Sequence, residues 1–194
     1  MIVAVVAIGV VVVTLVSRSR RPAAVSGGGP GPAELSPAAE QSALGGDVRN
    51  LRPGDVVNHD GNDYLVERTM VFDEDGFTWS EHLLDDPVGG RAMWLSVEDD
   101  DGLELVLYER LRGAALEPGP DAIAHEGTDY RLDERGRARF TTQTREGAGE
   151  SGDMEYADYV RGDRVLAFER YGTGGWETSL GVVVEEHSLD VYRR

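Results

Sequence analysis

The sequence predicts an all-β domain: an antiparallel, internally duplicated β-sandwich or closed barrel of about ten strands. Three observations predict it. Beyond residue 51, turn dipeptides recur about every 10–15 residues, as in antiparallel hairpins. Between them, apolar and polar residues alternate with the period-two rhythm of half-buried strands. The first half of this region also recurs in the second.

The chain has 194 residues and no cysteine, which allows one globular domain with appendages and excludes a disulfide-stapled fold and thiolate chemistry. A formal charge of −17 repels phosphate, so no nucleic-acid partner is expected. The charge is uneven. Residues 1–50 carry four arginines against Glu34, Glu40 and Asp47, a net of +1, which leaves −18 on residues 51–194.

Met1 to Val16 is an apolar run broken only by Gly9 and Thr14. A helix over 1–17, at about 1.5 Å per residue and with Arg18 and Arg20 snorkelling, nearly spans the bilayer core. No basic residue precedes the run, whereas Arg18, Arg20 and Arg21 follow it. The positive-inside rule then predicts an uncleaved single-pass anchor, with the N-terminus outside and the remainder in the cytoplasm. Residues 18–46 are rich in Pro, Gly, Ala and Ser and have too few large apolar side chains to order themselves, so they form a disordered tether.

The acidic domain spans 47–194. Its first strands are expected at Val56–His59, Asp63–Phe72, Thr78–Leu84, Ala92–Glu98 and Leu103–Arg110, separated by Asp60-Gly61, Asp75-Gly76, Gly89-Gly90 and Asp101-Gly102. Met93, Leu95 and Val97 share one face, and Trp94, Ser96 and Glu98 share the other. The sole helical turn expected is within Ala114–Ile123.

Asp55-x-x-x-His59-Asp60-Gly61-x-Asp63-Tyr64 returns 66 residues later as Asp121-x-x-x-His125-Glu126-Gly127-x-Asp129-Tyr130. Trp79-Ser80-Glu81 then matches Tyr156-Ala157-Asp158, Met93 to Glu98 matches Arg164 to Glu169, and Gly102-Leu103-Glu104 matches Gly175-Trp176-Glu177. Two repeats, about 51–112 and 118–194, each with one apolar sheet face, are expected to bury those faces against each other.

His59 and His125, with Asp63 and Asp129 four residues on, form a symmetric pair of candidate acid–base groups, although the same residues also suit two hairpin turns. Asp73-Glu74-Asp75-Gly76 and Asp99-Asp100-Asp101-Gly102 lack the spaced oxygen ligands of a calcium loop and are expected to be turns. No metal site and no cofactor is indicated. If the strands Thr78–Leu84 and Ala92–Glu98 pair, Trp79, Glu81, Trp94 and Glu98 share a face of two indoles and two carboxylates, suited to a cationic ligand or to completing the core.

Leu51-x-Pro53-Gly54-Asp55-Val56-Val57, Asp60-Gly61-x-Asp63-Tyr64-x-Val66, Gly76-Phe77-x-Trp79-x-Glu81-His82-x-Leu84 and Trp94-Leu95 resemble domain-of-unknown-function family 4178, clearly over about 51–110 and loosely over 118–194. The resemblance implies a bacterial protein in a membrane-stress or polyamine-linked context and transfers no catalytic or binding residues. The expectation is a membrane-tethered cytoplasmic β module, more a binder than an enzyme, whose partner is a protein or a small cation. The alternative is an enzyme acting on a cationic or membrane-derived substrate through His59, His125, Asp63 and Asp129.

Overall fold

The computed structural model describes residues 45–193. The expected membrane helix and all but the last two residues of the expected tether lie outside them. Among the described residues, no helix is long and apolar enough to cross a membrane.

Eleven antiparallel strands form one sheet: β1 (Val56–His59), β2 (Asn62–Glu74), β3 (Phe77–Asp85), β4 (Ala92–Asp99), β5 (Leu103–Arg110), β6 (Ala122–His125), β7 (Thr128–Thr144), β8 (Gly147–Arg161), β9 (Arg164–Tyr171), β10 (Glu177–Val183) and β11 (Leu189–Tyr192). The strand order is β11-β1-β2-β3-β4-β5-β10-β9-β8-β7-β6, and β2 also pairs with β7. That extra ladder closes β2–β5 and β7–β10 into an eight-stranded ring, four strands from each repeat. Closure removes the edges that an open sheet of this size would expose.

β1 and β5 fall where alternation puts them, and β2, β3 and β4 run one or two residues further at their ends. The helical turn expected within Ala114–Ile123 is absent: that stretch is irregular until β6 begins at Ala122. Gly113 lies at φ 77°, and Pro118, Gly119 and Pro120 deny a helix its donors and its entropy. The described helical segments are two 3-10 turns, Val48–Asn50 and Glu186–Ser188.

The duplication is repeated in the backbone. Asp60 (φ 50°) and Gly61 (φ 76°) link β1 to β2, and Glu126 (φ 47°) and Gly127 (φ 77°) link β6 to β7. Two central residues with positive φ, closing the pairs His59–Asn62 and His125–Thr128, make mirror-image turns whose twist suits a hairpin. Replacing Gly61 by Val is expected to lower unfolding stability by about 1–2 kcal/mol, because a β-branched residue resists the left-handed region; urea denaturation measures it. The Val66 amide donates to the Asp55 carbonyl at 2.9 Å, and the Leu132 amide donates to that of Asp121 at 2.9 Å. Register shifts fall between Val66 and Arg68 and between Leu132 and Glu134, again 66 positions apart.

Equivalent residues also meet each other. Asp73 lies opposite Arg139 in the β2–β7 ladder, and Tyr108 lies opposite Gly181 in the β5–β10 ladder. A pseudo-twofold axis therefore passes through both seams between the repeats.

The apolar faces are not buried against each other as expected. Met93, Leu95, Val97, Leu105 and Leu107 pack with Val57, Tyr64, Val66 and Leu84 in a core of the first repeat, completed by Leu189 and Val191 of β11. Tyr130, Tyr159, Leu166 and Phe168 form a separate core in the second repeat, against which Leu111 and Leu116 pack. The physical reason lies in the covers. β1 with β11, and β6 with the segment leading to it, curl over the apolar face of each half, so the repeats meet through their other faces.

Candidate functional site

Those other faces line the inside of the ring. Strand alternation sends Glu81, Trp94, Ser96, Glu98, Glu104, Tyr108, Asp158 and Glu169 inward while their neighbours enter the two cores. The two bulges do the same for β2 and β7. Tyr64 and Val66 belong to the first core, yet Met70 and Phe72, of the same parity, lie inside; Tyr130 is outside, and Ala138 and Phe140 are inside. One extra residue in each long strand switches its alternation from one face to the other.

Inside the ring is a cavity of about 350 Å³ lined from all eight of its strands. Its aromatic wall is ordered: Trp79 stacks on Phe72 at 5.0 Å and meets Tyr156 edge-on at 5.7 Å, and Phe140 meets Tyr171 edge-on at 5.2 Å. Its polar wall is acidic. Nine carboxylic side chains line it, among them Glu81, Glu98, Glu104, Glu134, Asp158, Glu169 and Glu177, against two arginines, Arg68 and Arg110.

Some of this charge is answered within the protein. The Trp79 indole Nε1 donates to Glu81 Oε1 at 3.4 Å, and the Tyr171 hydroxyl donates to Glu169 Oε2 at 3.0 Å. Arg110 pairs with Glu177. Beside the cavity, the Tyr156 hydroxyl donates to Glu74 Oε2 at 2.6 Å. Burial pushes the carboxyl groups of Glu81 and Asp158 well above the usual range, with Glu169 beside the first and Glu134 beside the second as further causes. Burial also raises Glu169, and Tyr171 and Arg110 oppose that rise. Glu98 is pushed up to about 7 by burial and by Glu104, and Glu134 is raised by burial and by Asp133. Such a wall stabilises positive charge brought into it, because a cation favours the carboxylate forms that burial first and mutual repulsion second disfavour.

β3 and β4 pair, and Trp79, Glu81, Trp94 and Glu98 all line the cavity. Both indoles also pack against the Phe72 cluster, so one position serves packing and lining alike. The histidine set is placed differently. The His59 ring Nδ1 donates to the Ser188 carbonyl at 3.2 Å, and its Nε2 lies 3.6 Å from Asp60. His125 Nε2 is buried without a partner. Asp63 accepts from the Asn58 amide at 2.7 Å, and Asp129 is exposed. None of the four lines the cavity, and β1 and β6 join β2 and β7 at the ends remote from the β2–β7 ladder. The structure does not bring the two histidines together. Asp73-Glu74-Asp75-Gly76 forms the β2–β3 turn, with the Gly76 amide donating to Asp73 Oδ1 at 3.0 Å. Asp99-Asp100-Asp101-Gly102 joins β4 to β5. Among the described residues, no group of three or more His, Asp or Glu side chains is arranged to hold a metal ion.

Sequence reasoning missed Glu104, Glu134, Asp158, Glu169 and Glu177. The signal was present in the repeat, which matches Glu81 with Asp158, Glu98 with Glu169 and Glu104 with Glu177. Acids recurring at equivalent inward positions mark a shared face.

A family model described as "Domain of unknown function (DUF4178)" matches residues 52–186. An uncharacterized protein of Mycobacterium bovis is 37% identical over 152 residues, covering 74% of this chain and 72% of that protein. Uncharacterized proteins from two strains of Mycobacterium tuberculosis match with the same identity and coverage. No solved structure matches the chain significantly.

Proposed function

The chain belongs to the DUF4178 family, and we propose that its β domain binds a small organic cation inside the ring while residues 1–17 tether it to the cytoplasmic face of the membrane. The observation that carries this reading is the cavity: about 350 Å³, with nine carboxylic side chains against two arginines and a wall of Trp and Tyr rings. That volume admits a small ligand and excludes a folded partner. Ammonium groups find carboxylates there, and alkyl segments and N–H groups find aromatic faces. Aliphatic polyamines combine both features and agree with the polyamine-linked context that the family resemblance implies. The anionic leaflet repels the acidic domain, so the tether holds it near the membrane without laying it on the lipid.

The enzymatic alternative required His59, His125, Asp63 and Asp129 to converge, and no observation favours it. Thermal unfolding with putrescine and spermidine, against sodium chloride of equal ionic strength, tests the binding reading. At about 100 times Kd, ligand adds about 2.7 kcal/mol, which raises Tm by about 5–10 °C in a domain of this size. Glu81→Gln and Asp158→Asn weaken the effect at least tenfold in ligand concentration. A rise no larger than sodium chloride produces contradicts the proposal.

A further inference from the structure

The pseudo-twofold axis relates two like-charged cross-strand pairs in the cavity wall, and the protein neutralises only one of them. Glu169 lies opposite Glu177, and its counterpart Glu98 lies opposite Glu104. Like charges directly opposite in a ladder repel, so each pair needs a counter-charge or a proton. The first pair has a counter-charge. Arg110, opposite Ser179 and thus diagonal to Glu177, forms an ion pair with it and also draws Glu169 down. The residue equivalent to Arg110, counted by the spacing that matches Glu104 with Glu177, is Val183. It lies opposite Val106, diagonal to Glu104, and is 38% exposed. A valine supplies no charge.

The imbalance is greater than one missing arginine. Glu134 stands near enough to repel Glu98 and Asp158, and Glu104 near enough to repel Glu98, Glu134 and Asp158, with no hydrogen bond to offset this at Glu98, Glu134 or Asp158. Glu98 and Asp158 are half-buried and Glu104 and Glu134 exposed, so this cluster sits at a mouth of the cavity, within reach of a solute. Trp94 lies on the same face of β4 as Glu98, one turn of alternation beyond Ser96, and offers an aromatic wall beside it.

We infer that Glu98, Glu104, Glu134 and Asp158 form the subsite for the guanidinium or primary ammonium head of the ligand, which does at this pair what Arg110 does at the other. The inference rests on the cation-binding reading and adds the location and chemistry of the head group. Arg110 serves as a built-in copy of that head: a planar fork or a compact ammonium, held by carboxylates on adjacent strands.

The test is calorimetric titration of the full-length protein at pH 8 with agmatine, putrescine and methylguanidine, at matched ionic strength. Agmatine and putrescine share an ammonium end and differ at the other, so the tighter of the two identifies the preferred head. Wild type binds one equivalent. Val183→Arg, a change at an exposed position, places a tethered guanidinium on the Glu98–Glu104 pair and weakens uptake at least tenfold while raising Tm. Arg110→Val vacates the first pair and raises the stoichiometry from one to two. Uptake by Val183→Arg with wild-type affinity overturns this subsite and leaves cation binding elsewhere in the cavity standing. Failure of the wild type to bind any of the three overturns the cavity reading itself.

Discussion

Between pH 6.5 and pH 8 the ligand-free protein loses thermal stability, and its Tm falls by about 5 °C or more. Glu81, Asp158, Glu169, Glu98 and Glu134 all hold their protons to higher pH when folded than when unfolded. Below the unfolded value both states are protonated and the folded state has its full stability. As pH rises past that value the unfolded chain releases protons that the folded chain retains, so stability falls until the folded values are passed. For Glu98 the window runs from 4.5 to about 7. After discounting for solvent screening, that group alone contributes about 1–2 kcal/mol. Asp47, Asp86 and Glu155 are held below their ordinary values by Arg49, Gly89 and Arg170 respectively. Asp47 is exposed and Asp86 and Glu155 are half-buried, and all three lose their protons below pH 5, so they do not offset the trend. Buried His82, lowered to about 4, stays neutral where the unfolded imidazole is charged and adds stability as pH rises to about 6.5, so the fall is read above that value. Differential scanning calorimetry at constant ionic strength measures it, and Glu98→Gln flattens the slope. A Tm that is level or rises across this range contradicts the assignment of the cavity carboxyls.

Gly181→Val destabilises the protein by about 3 kcal/mol or more, the largest effect expected of a single substitution outside the two cores. A Cβ at position 181 falls 2.5 Å from Tyr108 Cε1 and 2.7 Å from Val106 Cγ1. The cause is the pseudo-twofold axis. Residues 108 and 181 are equivalent and face each other in the β5–β10 ladder, so two large side chains there occupy one space. One repeat carries the tyrosine and the other carries the glycine. Exchanging them, Tyr108→Gly with Gly181→Tyr, therefore restores most of the stability that Gly181→Tyr alone removes. Urea denaturation of the single and double variants measures the coupling. Strict additivity of the two single effects refutes the axis argument.

The strands were legible because their signals are local. Alternation in Met93 to Glu98 and in Leu103 to Arg110 sets both strand and face, and Asp60-Gly61 announces a mirror-image turn by itself. The choice between a sandwich and a closed barrel was not legible, because the β2–β7 ladder that closes the ring joins residues about seventy positions apart and no dipeptide marks it. The bulges at Val66 and Leu132 were hidden for a related reason: an inserted residue shows only against the partner strand, and it reverses which residues of β2 and β7 face inward. The covers were also missed. Leu189 and Val191 lie on the four-residue β11, too short a run to signal its partner, yet they complete the first core, and this frees the inner faces from packing duty. The site was half legible. Trp79, Glu81, Trp94 and Glu98 came from alternation within one repeat. Their counterparts required carrying the repeat through to the second half, where tyrosines and alanines replace the more conspicuous tryptophan and serine.

The most direct test is a crystal structure of the protein grown with agmatine at pH 8. The expected result is one molecule inside the eight-stranded ring, its head within hydrogen-bonding distance of Glu98 and Glu104 and its alkyl segment along the aromatic wall. A ring interior filled by its own side chains, or a cation bound solely to the outer acidic surface, contradicts the account.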